Sequence, residues 1–366
     1  MKKNTNDNRI IYLDFIRIFA IFFVIFNHTS EMGYFLFADY PTDSIRFWIY
    51  MVVSIVSKVA VPLFFCVSGA LLLGKETEGI RNLWKNRILK MSIILMVFSF
   101  VNYANYCWYA GKEFNLGKLL KSIYSGPSVV NGHLWYLYAY LAFLICLPFL
   151  QVLVKKLESK YFLYMVAIVI FVKVLHVIEY FWSQGTVQVS DDFHDNLWSM
   201  TDVVLYPCIG YYMHHRLDKT DIRKSLPIIW GVNLFGIMIS CYMTYYMGQV
   251  IGVLNEWYTQ EFMNSFVLIN CMCIFTSAKC WFEKRGISDV SKKIIASVGK
   301  ASFGIYLIHQ LVKCYFSHYE IIPKITAYGV DSMVAVILYC FGVLLVSYVL
   351  TVILLRIPVA RKLIGG

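Results

Sequence analysis

Long apolar runs separated by short polar stretches fill the chain from end to end. A helix needs about 20 predominantly apolar residues to cross a bilayer. By that measure ten runs predict spans, at residues 10–29, 47–73, 88–109, 134–154, 161–182, 198–213, 227–248, 262–282, 294–316 and 333–357. The second is long and contains Lys58 and Pro62, which predicts a break or tilt within it. The sixth is short and holds Asp202 and Pro207, which makes it the weakest run. In the outer loop 111–133, the segment LGKLLKSIY has the pattern of a short interfacial helix. No internal repeat or low-complexity tract is visible, and so no sign of the inverted symmetry common in secondary transporters.

The polar stretches alternate in charge. One set carries Lys2, Lys3 and Arg9, then Lys75, Arg81, Lys85, Arg87 and Lys90, then Lys155, Lys156 and Lys160. It continues with Arg216, Lys219, Arg223 and Lys224, with Lys284, Arg285, Lys292 and Lys293, and with Arg361 and Lys362. The opposite set has Lys112, Lys118, Lys121 and Lys324, and is rich in acids such as Asp39, Asp43, Asp191, Asp192, Asp195 and Glu256. Because basic loops stay on the cytoplasmic side, this asymmetry predicts cytoplasmic termini, in keeping with an even number of spans. The expected fold is an all-α integral membrane protein. It is a bundle of about ten transmembrane helices in one domain over residues 1–366, with no appended soluble domain.

Composition agrees, with 59% hydrophobic and only 15% charged residues. The formal net charge of +11 is spread over loops and forms no separable basic domain, so nucleic acid is not an expected partner; membrane lipid is. Ten cysteines lie singly, mostly inside apolar runs, and the pair Cys271 and Cys273 reads as small hydrophobes. The first run carries Asp14 and Arg17 and lacks a small-residue cleavage site, so no cleavable signal peptide is expected.

Against this background the ionisable residues inside spans stand out, since a charge at membrane depth costs at least a few kcal/mol. In RIFAIFFVIFNH, Arg17 and His28 bracket an otherwise apolar stretch. Eleven steps of about 100° bring both side chains to one face, about 16 Å apart along the axis. Asp14 lies three residues before Arg17 and can pair with it. Two readings stay open: a snorkelling arginine with an interfacial histidine, or a polar path through the bundle. His133, His176 and His309 fall at a similar outer depth on other helices, with Glu179 three residues after His176 and Tyr306 one turn below His309. Packing of His176 against Glu179 is the simpler reading there. No HExxH or similar spacing occurs, so no metal is expected. Before the third span, GIRNLWKNRILK sets out Arg81, Lys85, Arg87 and Lys90, either a topology anchor or a site for phosphates of a cytosolic cofactor. No Walker-type loop, GxGxxG or GxSxG accompanies it.

YLDFIRIFAIFFVIFNH, with its Arg–ten residues–His pattern, resembles the opening helix of the acyltransferase 3 family of integral membrane acyltransferases. VPLFFCVSGALLL at 61–73, KNRILKM, HLWYLYAYL and SFGIYLIH resemble later family blocks and occur in family order; residues 155–290 match least. The resemblance implies transfer of an acyl group, usually acetyl, from cytosolic acyl-CoA to a hydroxyl of a cell-surface or lipid-linked glycan. Carried onto this chain, it makes His28 the catalytic base or transient acyl carrier, assisted by Arg17 and Asp14. Arg81, Lys85, Arg87 and Lys90 would hold the acetyl-CoA donor, and His133, Trp135, Tyr136, Tyr306 and His309 would face the substrate. The expected location is the bacterial plasma membrane. A competing expectation is a transporter that uses the same polar path. Trp182, Trp198, Trp257 and Tyr258 are candidates for stacking on sugar rings, or members of an interfacial aromatic belt. Neither the oligomeric state nor the acceptor's identity is legible.

Overall fold

The computed structural model describes residues 9–124, 132–183, 201–252, 254, 266–284 and 286–364. Those residues form helices and connections, with no strand among them. The first helices are α1 (Ile11–Asn27), α2 (Ile45–Ser57), α3 (Ala60–Leu72), α4 (Ile80–Tyr109) and α5 (Leu116–Tyr124). They are followed by α6 (Trp135–Lys156), α7 (Ser159–Ser183), α8 (Tyr206–His215), α9 (Lys219–Ile251) and α10 (Val267–Lys284). Last come α11 (Asp289–His318), α12 (Ile321–Thr326), α13 (Ser332–Leu354) and α14 (Pro358–Ile364).

Seven stretches among the described residues are long and apolar enough to cross a membrane: Ile45–Leu72, α4, α6 with its leading turn, α7, α9, α11 and α13. They coincide with seven of the ten expected spans. The expected break in the second span is present, at Lys58 and Val59 between α2 and α3. Pro62 falls in the first turn of α3, where its missing N–H removes no helical bond. The LGKLLKSIY segment forms α5 and packs Leu119 against Tyr103 and Cys107 of α4.

The remaining three expected spans correspond to α1, α8 and α10. At 17 residues, α1 is short, and it lies among α3, α10, α11 and α13 with Ile16, Ala20, Ile21, Ile25 and Phe26 fully buried. A helix apolar on nearly every side is one surrounded by others. α8 and α3 cross at backbone contact. A Cβ on Gly69 would lie 1.9 Å from the Pro207 carbonyl oxygen, and one on Gly210 would lie 2.0 Å from that of Cys66. Small residues permit such approach inside membranes. α10 brings buried Lys279 to the end of α8, where its Nζ donates to the carbonyls of Met213, His214 and Leu217 at 2.9, 3.0 and 2.8 Å.

Loops of the basic set gather at one end of the bundle. There Lys155 Nζ donates to Lys75 O at 2.7 Å and Arg216 Nη2 to Lys155 O at 3.3 Å. At the opposite end Tyr50 donates to the Asp331 carboxylate at 2.7 Å, and Tyr40 to Ser332 at 3.2 Å.

Candidate active site

α1, α3, α4, α6 and α11 enclose a cavity of about 500 Å³. Its basic end is lined by Arg9, Arg87, Lys90 and Lys300, with Arg17 beside them and Asp14 as the single carboxylate among the described residues that line it. Asp14 is 2% exposed and holds two arginines at once. Arg9 reaches it with Nε at 2.5 Å and Nη2 at 3.0 Å, and Arg17, one turn along the same helix, with Nη1 at 3.1 Å. Gly299 makes room for this group, since a Cβ there would lie 2.6 Å from that of Asp14. Arg87 sits in a π-helical turn, Trp84–Ile88, that rotates the start of α4. Its Nε donates to both Glu78 oxygens at 3.1 and 2.9 Å, and its Nη2 also reaches Oε1. That hydrogen bond is the main cause holding the Glu78 carboxyl below its ordinary value.

The cavity runs along α1 and α11, which lie parallel. Asp14 stands beside Gly299, and the same number of residues further along each helix the His28 carbonyl accepts from Lys313 Nζ at 2.5 Å. At 1.5 Å per residue this interval is about 21 Å, and Tyr306 lies about 10 Å above the level of Gly299. Leu13, Leu71, Met91, Ile94 and Leu144 give the cavity apolar walls. Phe64, Ser68, Tyr136, Tyr140, Phe303 and Tyr306 close its far end.

Immediately beyond that end lie three histidines from three helices. The ring centroids of His28 and His309 are 5.2 Å apart, those of His133 and His309 5.7 Å, and those of His28 and His133 6.4 Å. Tyr306 joins the cluster to the cavity: its hydroxyl donates to the His133 carbonyl at 2.5 Å, and its ring is 5.9 Å from that of His309. His309 is fully buried, with Nδ1 2.6 Å from the Tyr306 carbonyl oxygen. Among the described residues the Nε2 atoms of His133 and His309 are buried without a hydrogen-bond partner, whereas His28 is half-buried. An unpaired buried polar atom is costly, so its persistence favours a functional account. The tip of α1 is pinned to the α2–α3 break, because Asn27 Nδ2 donates to Ser57 O at 3.0 Å and Ser57 Oγ to Asn27 Oδ1 at 2.6 Å. The kink at Lys58 thus serves to hold His28 in place.

The expected residues divide into those brought together and those left apart. Arg17, Asp14, Arg87, Lys90, Tyr136 and Tyr306 line the cavity, and His28, His133 and His309 form the cluster. Arg81 and Lys85 are exposed and do not line the cavity. Trp135 is 38% exposed and also stands outside it. The side chain of His176 and all of Trp198, Trp257 and Tyr258 lie outside the described residues; Trp182 is exposed. Among the described residues, no His, Cys, Asp and Glu side chains are grouped to hold a metal ion.

Sequence reasoning missed Arg9, Lys300 and Lys313. Lys300 and Lys313 both sit in the apolar run 294–316, where any lysine is unusual, and that signal was available. No curated protein and no solved structure matches the chain. The family model of an acyltransferase domain matches residues 10–352, from the start of α1 to the last turn of α13, and so covers α3, α4, α6 and α11. The chain therefore belongs to the acyltransferase 3 family of membrane acyltransferases.

Proposed function

We propose that the protein is a multi-pass O-acyltransferase of the bacterial plasma membrane, with ten spans and cytoplasmic termini. It moves an acyl group, acetyl first of all, from cytosolic acyl-CoA to a hydroxyl of an extracytoplasmic or lipid-linked carbohydrate. The observation that carries this reading is that the cavity and the histidine cluster adjoin. A cavity with a cationic mouth ends at two tyrosines, one of which is bonded to a member of the histidine cluster.

The cations at the mouth suit the phosphates of CoA, and the guanidinium of Arg87 suits them bidentately. Lys90 and Lys300 make no ion pair among the described residues, so they meet an anion without first releasing a partner. The apolar walls suit the pantetheine arm, whose extended length is of the order of the axial distance from Arg17 to His28, about 16 Å. A sugar hydroxyl is a poor nucleophile, and a histidine is the side chain best poised to take its proton near neutral pH. In the reaction proposed, His28 accepts the hydroxyl proton as the oxygen bonds to the thioester carbonyl carbon. The C–S bond then breaks, and the CoA sulfur leaves with the proton returned by His28.

The test uses purified protein in liposomes with acetyl-labelled acetyl-CoA and crude glycan lipid from the host. Wild type should release CoA and label the glycan, and His28→Ala should do neither. Absence of CoA release from folded wild type would overturn the acyl-transfer reading. Movement of a solute without consumption of acyl-CoA would replace it with transport.

A further inference from the structure

The cavity and the histidines are adjacent but not continuous. None of His28, His133 or His309 lines the cavity, but the lining residue Tyr306 is in ring contact with His133 and His309, and Tyr136 stands beside it. Tyr136 and Tyr306 meet edge to face with centroids 5.3 Å apart, and both are nearly buried, at 8% and 4% exposure. Each is braced from behind. Tyr306 is tied through its hydroxyl to the His133 carbonyl, and Tyr136 packs against Phe65 at 5.2 Å. Phe65 is fully buried and does not line the cavity. Past the pair stand fully buried His309 and 5%-exposed His133.

We infer that the Tyr136–Tyr306 pair is an acyl-length filter, which admits the two- or three-carbon acyl end of a CoA thioester and rejects longer chains. This rests on the acyl-CoA reading above. A reacting carbonyl carbon has to come within about 3–3.5 Å of the attacking atom. With the CoA phosphates at Arg87, Lys90 and Lys300, the thioester approaches the histidines from the cavity side, so its acyl end enters first and meets the tyrosine pair. An acetyl group brings the least bulk to the ring pair. Every further methylene has to displace a braced ring or push the arm back towards the mouth. In a close-packed interior such overpacking weakens binding by roughly tenfold or more in all. An ordinary packed core would also bury both tyrosines, but it would confer no dependence on chain length.

The experiment measures dissociation constants for CoA and for its S-ethyl, S-butyl and S-hexyl thioethers, which cannot transfer an acyl group. It uses the full chain in lipid nanodiscs and titration calorimetry. Wild type should bind S-hexyl-CoA at least tenfold more weakly than S-ethyl-CoA. Tyr136→Ala should bring that ratio down by roughly tenfold. Phe65→Leu, which loosens the brace from outside the cavity, should lower it in the same direction and guards against loss of the tyrosine variant to misfolding. Binding of CoA itself reports that the cationic mouth is folded in each variant. A wild-type ratio near one, or a ratio unchanged in a variant that still binds CoA, would overturn the filter and leave the donor reading standing. Failure of folded wild type to bind CoA at all would remove the donor reading and the filter with it.

Discussion

Asp14 holds the base of the site together, and its replacement by asparagine has a calculable cost. The carboxylate is 2% exposed and accepts from Arg9 twice and from Arg17 once. Two unit charges about 4 Å apart interact by about 4 kcal/mol at the effective dielectric of a partly solvated site. Desolvation of the carboxylate offsets part of this, and both arginines keep contact with solvent, with side-chain exposures of 30% and 28%. Asparagine keeps the shape, but it loses the charge and turns an amide N–H₂ towards guanidinium donors. The net cost should be about 3 kcal/mol, at the low end of that for breaking a buried pair. Graded unfolding in mixed SDS micelles, comparing Asp14→Asn, Arg9→Gln and the double variant, measures it. The two changes should couple by about 1 kcal/mol or more, because the second removes a bond already lost to the first. A cost below about 0.5 kcal/mol for Asp14→Asn, or strict additivity with Arg9→Gln, would show that the carboxylate does not organise the arginines.

Glu78 competes with any phosphate for Arg87. Glu78→Gln should therefore lower the KM for acyl-CoA, whereas Arg87→Ala should raise it; identical donor kinetics in both would remove Arg87 from the donor site. The Glu78 carboxyl is held low, so its stabilising bond is in full force at neutral pH and is lost as the pH falls through that lowered value. The pH dependence of unfolding should lose an acid-side component in Glu78→Gln. Lys279→Met leaves three carbonyls at the end of α8 without this donor and should cost about 2–4 kcal/mol in the same unfolding assay. A cost near zero would mean that water replaces the ammonium there.

What the sequence reveals and what it hides follow from the range of the interactions involved. Helices facing lipid have to be long and apolar, and seven of the ten runs counted in the sequence form helices that meet this demand. α1, α8 and α10, of 17, 10 and 18 residues, pack among other helices and escape it. The shared face of Asp14, Arg17 and His28 follows from helical period alone, because all three lie on one element. The kink at Lys58 is likewise local, although its use in anchoring Asn27 is not. Convergence of His28 with His133 and His309 depends on the register between α1, α6 and α11, which no single segment encodes.

That register is set by close approaches such as Gly299 against Asp14, which slide α11 along α1 until Lys300 meets the cavity mouth and Lys313 the tip of α1. The same limit explains the basic cluster of α4. Arg81 and Lys85 are four residues apart and share one face, while Arg87 and Lys90, three apart, share another. The sequence distinguishes the two faces but not which one turns inward. The π turn at Trp84–Ile88 and the Glu78 carboxylate settle that choice, directing Arg87 and Lys90 to the cavity and leaving Arg81 and Lys85 exposed. A glutamate nine residues from its arginine is a contact between a loop and a helix, and only the folded chain discloses it.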